Sequence, residues 1–156
     1  MLTESREFDR NEELPASLNE DGIFRYCNFD GLQFEGSPGC FDGALIGCVF
    51  RDVEWYLSMF NTADLISTKF INCTFLGTKF ASCRLIECVF EHCRFDLDNL
   101  GGPCGFHDCL LVETRFAQCR LVLENPHDWP VFERNRSYGL TQVASTGFDG
   151  LFTSSL

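Results

Sequence analysis

Residues 75–95 read FLGTKFASCRLIECVFEHCRF. From Phe75 every fifth residue is large and apolar: Phe80, Leu85, Phe90 and Phe95 follow. Two positions before each of these four lies a small residue, Thr78, Cys83, Cys88 and Cys93. Working outward, the large series continues as Leu45, Phe50, Trp55, Phe60, Leu65 and Phe70 on one side and Leu100 on the other, twelve positions without a miss. Leu, Phe and Trp make up 37 of the 156 residues, so a run of this length arises by chance with a probability on the order of 10⁻⁷. The small series runs beside it as Gly43, Cys48, Val53, Ser58, Ala63, Thr68, Cys73, Thr78, Cys83, Cys88, Cys93 and Asp98. In shifted phase the pair recurs upstream as Cys27/Phe29 and Leu32/Phe34, led in by Phe24. Downstream it recurs as Cys104/Phe106, Cys109/Leu111, Thr114/Phe116 and Cys119/Leu121.

A period of five fits neither the 3.6 of a helix nor the 2.0 of a plain strand, so each quintet must contain a corner. The pattern is two residues in and three out. If each quintet is one short side and four sides close a coil, residues 20 apart stack as parallel strands about 4.8 Å apart. Nineteen quintets over residues 24–121 predict about five coils. Two breaks interrupt the phase. Between Phe34 and Leu45 the segment EGSPGCFDGA, with Ser37, Pro38 and Gly39, advances it by one residue, and GGPCG between Leu100 and Phe106 adds another. Gly and Pro are the residues expected where a loop or bulge leaves a corner.

The 75–95 stretch resembles the pentapeptide-repeat family, whose consensus is roughly Ala-(Asp/Asn)-Leu-X-X, with Phe favoured over Leu and Cys over Ala. The resemblance implies an all-β fold, a right-handed quadrilateral parallel β-helix, over residues 22–121. Residues 1–21 are then an acidic N-terminal segment or cap, and residues 122–156 a C-terminal cap or association segment. The latter lose the period and carry Pro126 and Pro130, and a short helix from about Pro130 is expected. Their Trp129, Val131, Phe132, Tyr138, Leu140 and Phe148 need apolar surface to bury against.

The net charge of −11 argues against a nucleic acid or an anionic membrane as direct ligand, because both attract Lys and Arg. Residues 1–21 hold seven acids and two bases, residues 22–121 twelve and eight, residues 122–156 four and two. The N-terminal segment is thus the most densely acidic. No signal-peptide pattern and no membrane span is read from the chain, which is expected to be cytoplasmic with its thiols reduced. Nine of the ten cysteines sit on the small inward position, Cys40 being the exception, rather than in the close pairs of a zinc motif. They read as small core residues. Stacked pairs such as Cys73 over Cys93 and Cys88 over Cys109 are expected to stay thiols, since parallel Cβ vectors suit a disulfide poorly. No metal or cofactor site is expected. The three histidines, His92, His107 and His127, join no catalytic constellation in the repeat phase, and almost every carboxylate falls on an outward position. Asp98 is the inward exception, read as a cap for free backbone N–H groups at the break. No enzyme activity is expected.

Apolar residues at outward positions need another reason, because the repeat does not require them there. One edge collects Ile46, Ile66 and Ile86 in a column, flanked by Val49, Val89 and Leu110; the opposite edge collects Tyr56, Leu57, Met59, Leu76 and Leu97. One stripe is expected to be covered by residues 122–156 and the other to form a homodimer or partner interface. The leading function is a non-enzymatic protein-binding module that blocks or scaffolds its partner, as an immunity protein does a toxin or effector. The alternative comes from the resemblance: some pentapeptide-repeat proteins mimic duplex DNA and bind a type II topoisomerase.

Overall fold

Each quintet turns at the second residue after its inward side chain. In the computed structural model, Asp52 follows Phe50, Leu57 follows Trp55, Ser67 follows Leu65 and Asn72 follows Phe70, all with φ between 49° and 53°. A left-handed conformation costs an L-residue about 1–2 kcal/mol. Each corner N–H is tied in return to a carbonyl of the next coil, Asp52 to Ile71 at 3.1 Å, Leu57 to Leu76 at 2.9 Å and Ser67 to Ile86 at 2.8 Å. Repeated corners of one hand wind the chain into a right-handed four-sided β-helix. The structure describes residues 2–14, 22–35, 40–123 and 130–153; Trp129 and the break residues Ser37, Pro38 and Gly39 lie outside these.

Four parallel sheets form the walls. The first face stacks β1 (Leu2–Glu4), β3 (Ile23–Arg25), β7 (Ala44–Ile46), β11 (Asp64–Ile66), β15 (Arg84–Ile86), β19 (Leu110–Val112) and β23 (Arg136–Tyr138). The second stacks β2 (Glu7–Phe8), β4 (Asn28–Asp30), β8 (Val49–Arg51), β12 (Lys69–Ile71), β16 (Val89–Glu91), β20 (Arg115–Ala117) and β24 (Thr141–Val143). The third holds β5 (Gln33–Glu35), β9 (Glu54–Tyr56), β13 (Thr74–Leu76), β17 (Arg94–Asp96) and β21 (Arg120–Leu121). The fourth holds β6 (Cys40–Phe41), β10 (Met59–Asn61), β14 (Lys79–Ala81), β18 (Gly105–His107) and β22 (Phe132–Glu133). From β1 to β21 every strand carries a buried inward residue, and those residues fill the bore. On the second face Phe29, Phe50, Phe70, Phe90 and Phe116 stack with neighbouring centroids 4.3–5.1 Å apart.

The coil is longer than the period predicts. Strands β1 and β2 lie before residue 22 and pair with β3 and β4, while β22, β23 and β24 lie after residue 121 and pair with β18, β19 and β20. The twenty-four strands among the described residues, at four to a coil, make about six coils, not five. The period fades at the ends because Thr3, Ser137 and Gln142 take the positions of Phe and Leu there.

The breaks also differ from their reading. Phe41, unassigned by the period, is buried and pairs with Phe60 as the inward residue of β6. At the second break, registers pass from an offset of 20, as in Asp64 with Arg84, to 26, as in Arg84 with Leu110. Six residues are therefore inserted, and Leu100, which the period places inward, is 84% exposed on a loop. Strands β15 and β19 consequently set Cys83 beside Cys109, where the period had paired Cys88 with Cys109. The loop is held as read from Asp98, whose Oδ1 accepts hydrogen bonds from Leu100 N at 2.8 Å and Gly102 N at 2.9 Å. Lys79 Nζ donates to the Pro103 carbonyl at its far end.

The small inward residues do more than leave room. The inward thiols and threonine hydroxyls donate to the carbonyl of an inward residue one coil earlier: Cys73 to Phe50 at 3.4 Å, Cys83 to Phe60 at 3.2 Å, Cys88 to Leu65 at 3.0 Å, Thr68 to Leu45 at 3.0 Å and Thr78 to Trp55 at 3.0 Å. Alanine at these positions could not donate. All ten cysteines are thiols and only Cys40 is exposed. Burial pushes Cys48 up to about 11 and Cys88 and Cys104 up to about 12. A thiol whose folded pKa is raised contributes full stability below its unfolded pKa, and that contribution is lost as pH climbs toward the folded value. Stability is therefore expected to fall between about pH 9 and about pH 12, read from denaturant midpoints. A disulfide-exchange reagent should modify one thiol quickly in the native chain and ten after unfolding. Several fast native thiols would contradict the buried ladder.

Trp55 gives a second test. Its ring lies 4.2 Å from Phe34 and 4.9 Å from Phe60, and its indole N–H is buried without an acceptor among the described residues. Trp55→Phe removes that orphan donor at the expense of some packing, so stability should change by less than about 1 kcal/mol. A loss above about 3 kcal/mol in a denaturant titration would mean that the indole has a polar partner.

The described C-terminal residues cover neither apolar stripe. They continue the coil along its axis, and the helix α1 (Asp149–Thr153) begins far beyond Pro130. Phe148 and Leu151 are fully buried over the last coil, with Phe148 stacked on Phe116 at 4.5 Å. An apolar plug on the axis shields the open end of the bore, which a cover on a wall would leave open.

Candidate partner-binding surfaces

The two stripes are now placed by register. On the first face Ile46, Ile66 and Ile86 are adjacent in one column, which continues to Val112 and Tyr138. Tyr26, 61% exposed, extends it at the corner, where its ring lies against Gly47. Val112, Tyr138 and Tyr26 escaped the sequence reading because the six-residue insertion shifts the count and because corners were read as plain solvent positions. Leu110 lies on the same face in the other outward column, next to Arg84 and Arg136. Val49 and Val89 belong to the second face, on either side of Lys69, and do not flank the isoleucines on their own wall.

The second stripe lies where the third and fourth faces meet. Tyr56 and Leu76 are neighbours on the third face, and Met59 stands beside Lys79 on the fourth. Leu57 occupies the corner between them with φ of 52° and 44% exposure. A bulky side chain is a poor choice for a left-handed corner, where Asn, Asp or Gly serve better. Neither burial nor backbone geometry explains Leu57. Leu97 is half-buried at the foot of the inserted loop and Leu100 projects from it. That loop leaves the coil between β17 and β18, at this same corner, and Gly77, one coil on from Leu57, abuts Asp98. The edge therefore combines a strained exposed leucine with an exposed leucine on an anchored loop.

Three ion pairs link charged groups of successive coils along the axis. Arg84 binds Asp64 through two bonds of 2.6 and 2.8 Å, Arg134 binds Asp108 at 2.7 and 3.0 Å, and Arg25 meets Glu4. The Arg134 guanidinium holds the Asp108 carboxyl below its ordinary value. His107, lowered by burial and by Lys79, faces Glu133 at 3.6 Å. Among the described residues, no three His, Cys, Asp or Glu side chains converge as metal ligands, and no helix is long and apolar enough to cross a membrane.

A family model for pentapeptide repeats matches residues 60–96 with eight copies. Residues 60–96 are pentapeptide repeats. Among solved structures, the chain is similar to Rfr23, a pentapeptide repeat protein from the cyanobacterium Cyanothece 51142, with a TM-score of 0.58 and 12% identity. That alignment covers 76% of this chain and 86% of the other. A trypsin-treated form of QnrB1, a plasmid-mediated fluoroquinolone resistance protein, aligns with a TM-score of 0.45 and 16% identity over 93% of this chain and 67% of its own. The likeness to Rfr23 shows the coil and says nothing of what its outer walls bind. No curated protein matches the repeat protein by sequence.

Proposed function

We propose that the protein is a non-enzymatic binding module whose third/fourth edge docks on a partner protein and blocks or scaffolds it, as an immunity protein does a toxin or effector. Leu57 carries this reading: a large apolar side chain kept exposed at a corner that disfavours it. Leu100, Leu97, Tyr56, Leu76 and Met59 extend the same edge. The rigid coil holds these groups in place before binding, which lowers the ordering cost of association. The test uses Leu57→Asn combined with Leu100→Asn. Asn suits the left-handed corner, so the double variant should fold at least as stably as the parent while retention of the parent's partner on an affinity column falls at least tenfold. Unchanged retention would sink the reading.

The second reading is a DNA-mimicking ligand of a type II topoisomerase, and the acidic excess favours it. Three ion pairs weigh against it, since Arg84, Arg134 and Arg25 sit on their carboxylates and interrupt the row of negative charge that a duplex presents. No effect on gyrase supercoiling is expected at concentrations near the enzyme's own. Protection at sub-stoichiometric amounts would reverse the order of the two readings.

A further inference from the structure

We propose that the first face is a self-complementary surface, through which two copies of the chain associate face to face with their coil axes antiparallel. The surface is distinct from the edge assigned to the partner. Its central feature is the outward pair of columns on adjacent strands, Asp64 and Ile66 on β11 beside Arg84 and Ile86 on β15. A two-fold axis lying between the two faces, parallel to the strands and midway between β11 and β15, sets each strand against the other of the pair. Asp64 then faces Arg84 of the second copy, and Arg84 faces its Asp64.

Each copy already carries the Asp64–Arg84 ion pair along its own column. The four groups therefore close a square in which every charge has two opposite neighbours. Ile66 meets Ile86 of the second copy, and Ile46 meets Val112, because β7 falls opposite β19 in the same register. Sliding by one strand destroys the match: an axis through β11 puts Asp64 on Asp64, and one through β15 puts Arg84 on Arg84. Like charges set against each other exclude wrong registers as effectively as the correct pairing favours the right one.

The chain's net charge of −11 opposes association in general, yet this wall is not acidic. Its strands carry Arg25, Arg84 and Arg136 against Glu4 and Asp64. Overlap extends over six strands, about 30 Å by about 15 Å with the corners, or roughly 900 Å² from both copies. That is just below the ~1,000–1,200 Å² of small specific interfaces, so the strip supports a reversible dimer rather than a permanent one.

Sedimentation of the full chain from about 1 µM to about 1 mM should show a monomer passing to a dimer. Asp64→Arg should weaken the dimer at least tenfold, since it sets arginine against arginine, while leaving the far-ultraviolet spectrum of the coil unchanged. The swap Asp64→Arg with Arg84→Asp restores both the internal pair and the square, and should restore the dimer. Copies of the swap and of the parent carrying two different dyes should each self-associate but show no energy transfer with one another, because their mixed dimer sets Asp on Asp and Arg on Arg. A chain that stays monomeric throughout, or free mixing of swap and parent, overturns the proposal.

Discussion

Phe80→Ala is expected to lower the unfolding free energy by about 3–5 kcal/mol, the range for truncating a fully buried phenylalanine. The ring is wholly inaccessible and stacks on Phe60 and Phe106 at 4.7 Å each, with Phe90 edge-on at 6.2 Å. Coil neighbours on both sides are fixed by backbone hydrogen bonds, so the bore cannot close over the void. Stability in a stacked repeat is close to a sum of units and their interfaces, and this substitution weakens two interfaces at once. Urea unfolding followed by far-ultraviolet dichroism measures it. A loss below about 1 kcal/mol would mean that the bore relaxes around a missing ring.

Phe148→Ala removes a side chain of the same size and should cost a similar amount, about 3–5 kcal/mol, with the damage confined to one end. Phe148 closes the bore by stacking on Phe116 at 4.5 Å and meeting Phe95 edge-on at 5.5 Å. The chain reaches it through Gly147, whose φ of 91° brings its Cα so close to Leu121 that an added Cβ would lie 2.0 Å from the Leu121 carbonyl oxygen. Without the ring, water reaches the last coil, where Ser137 and Gln142 already replace the apolar residues of the repeat. Hydrogen exchange should accelerate selectively in β22, β23 and β24 while the strands of residues 60–96 keep their protection. Uniform loss of protection along the whole coil would show instead that the cap is part of one indivisible cooperative unit.

The two-in, three-out pattern of residues 45–95 is legible because every quintet repeats one geometric problem. A residue at the wrong phase would put a polar group in the bore or a Phe ring in water, so the solution is written into each repeat. The thiols at the small positions and the cap formed by Asp98 were legible for the same local reason. Asn and Gly at corners such as Asn72 and Gly77 suit the left-handed turn, whereas Leu57 and Tyr26 set large exposed side chains there, which is evident only once φ at the corner is known.

The period, the inward set and hence the coil follow from the residues alone, because burial and corner sterics act within five residues. Tertiary structure alone decided how far the coil runs and which outward residues meet. Leu2–Glu4 and Arg136–Tyr138 are strands because a finished neighbouring strand offers them hydrogen-bond partners, although their own residues no longer demand the bore. The union of Val112 with Ile86, and of Cys109 with Cys83, depends on six inserted residues leaving the coil as a loop, with Leu100 in solvent. Local preference counts Leu100 as one more inward residue; the hydrogen bonds from Asp98 and the pairing of Arg84 with Leu110 across the loop place it outside.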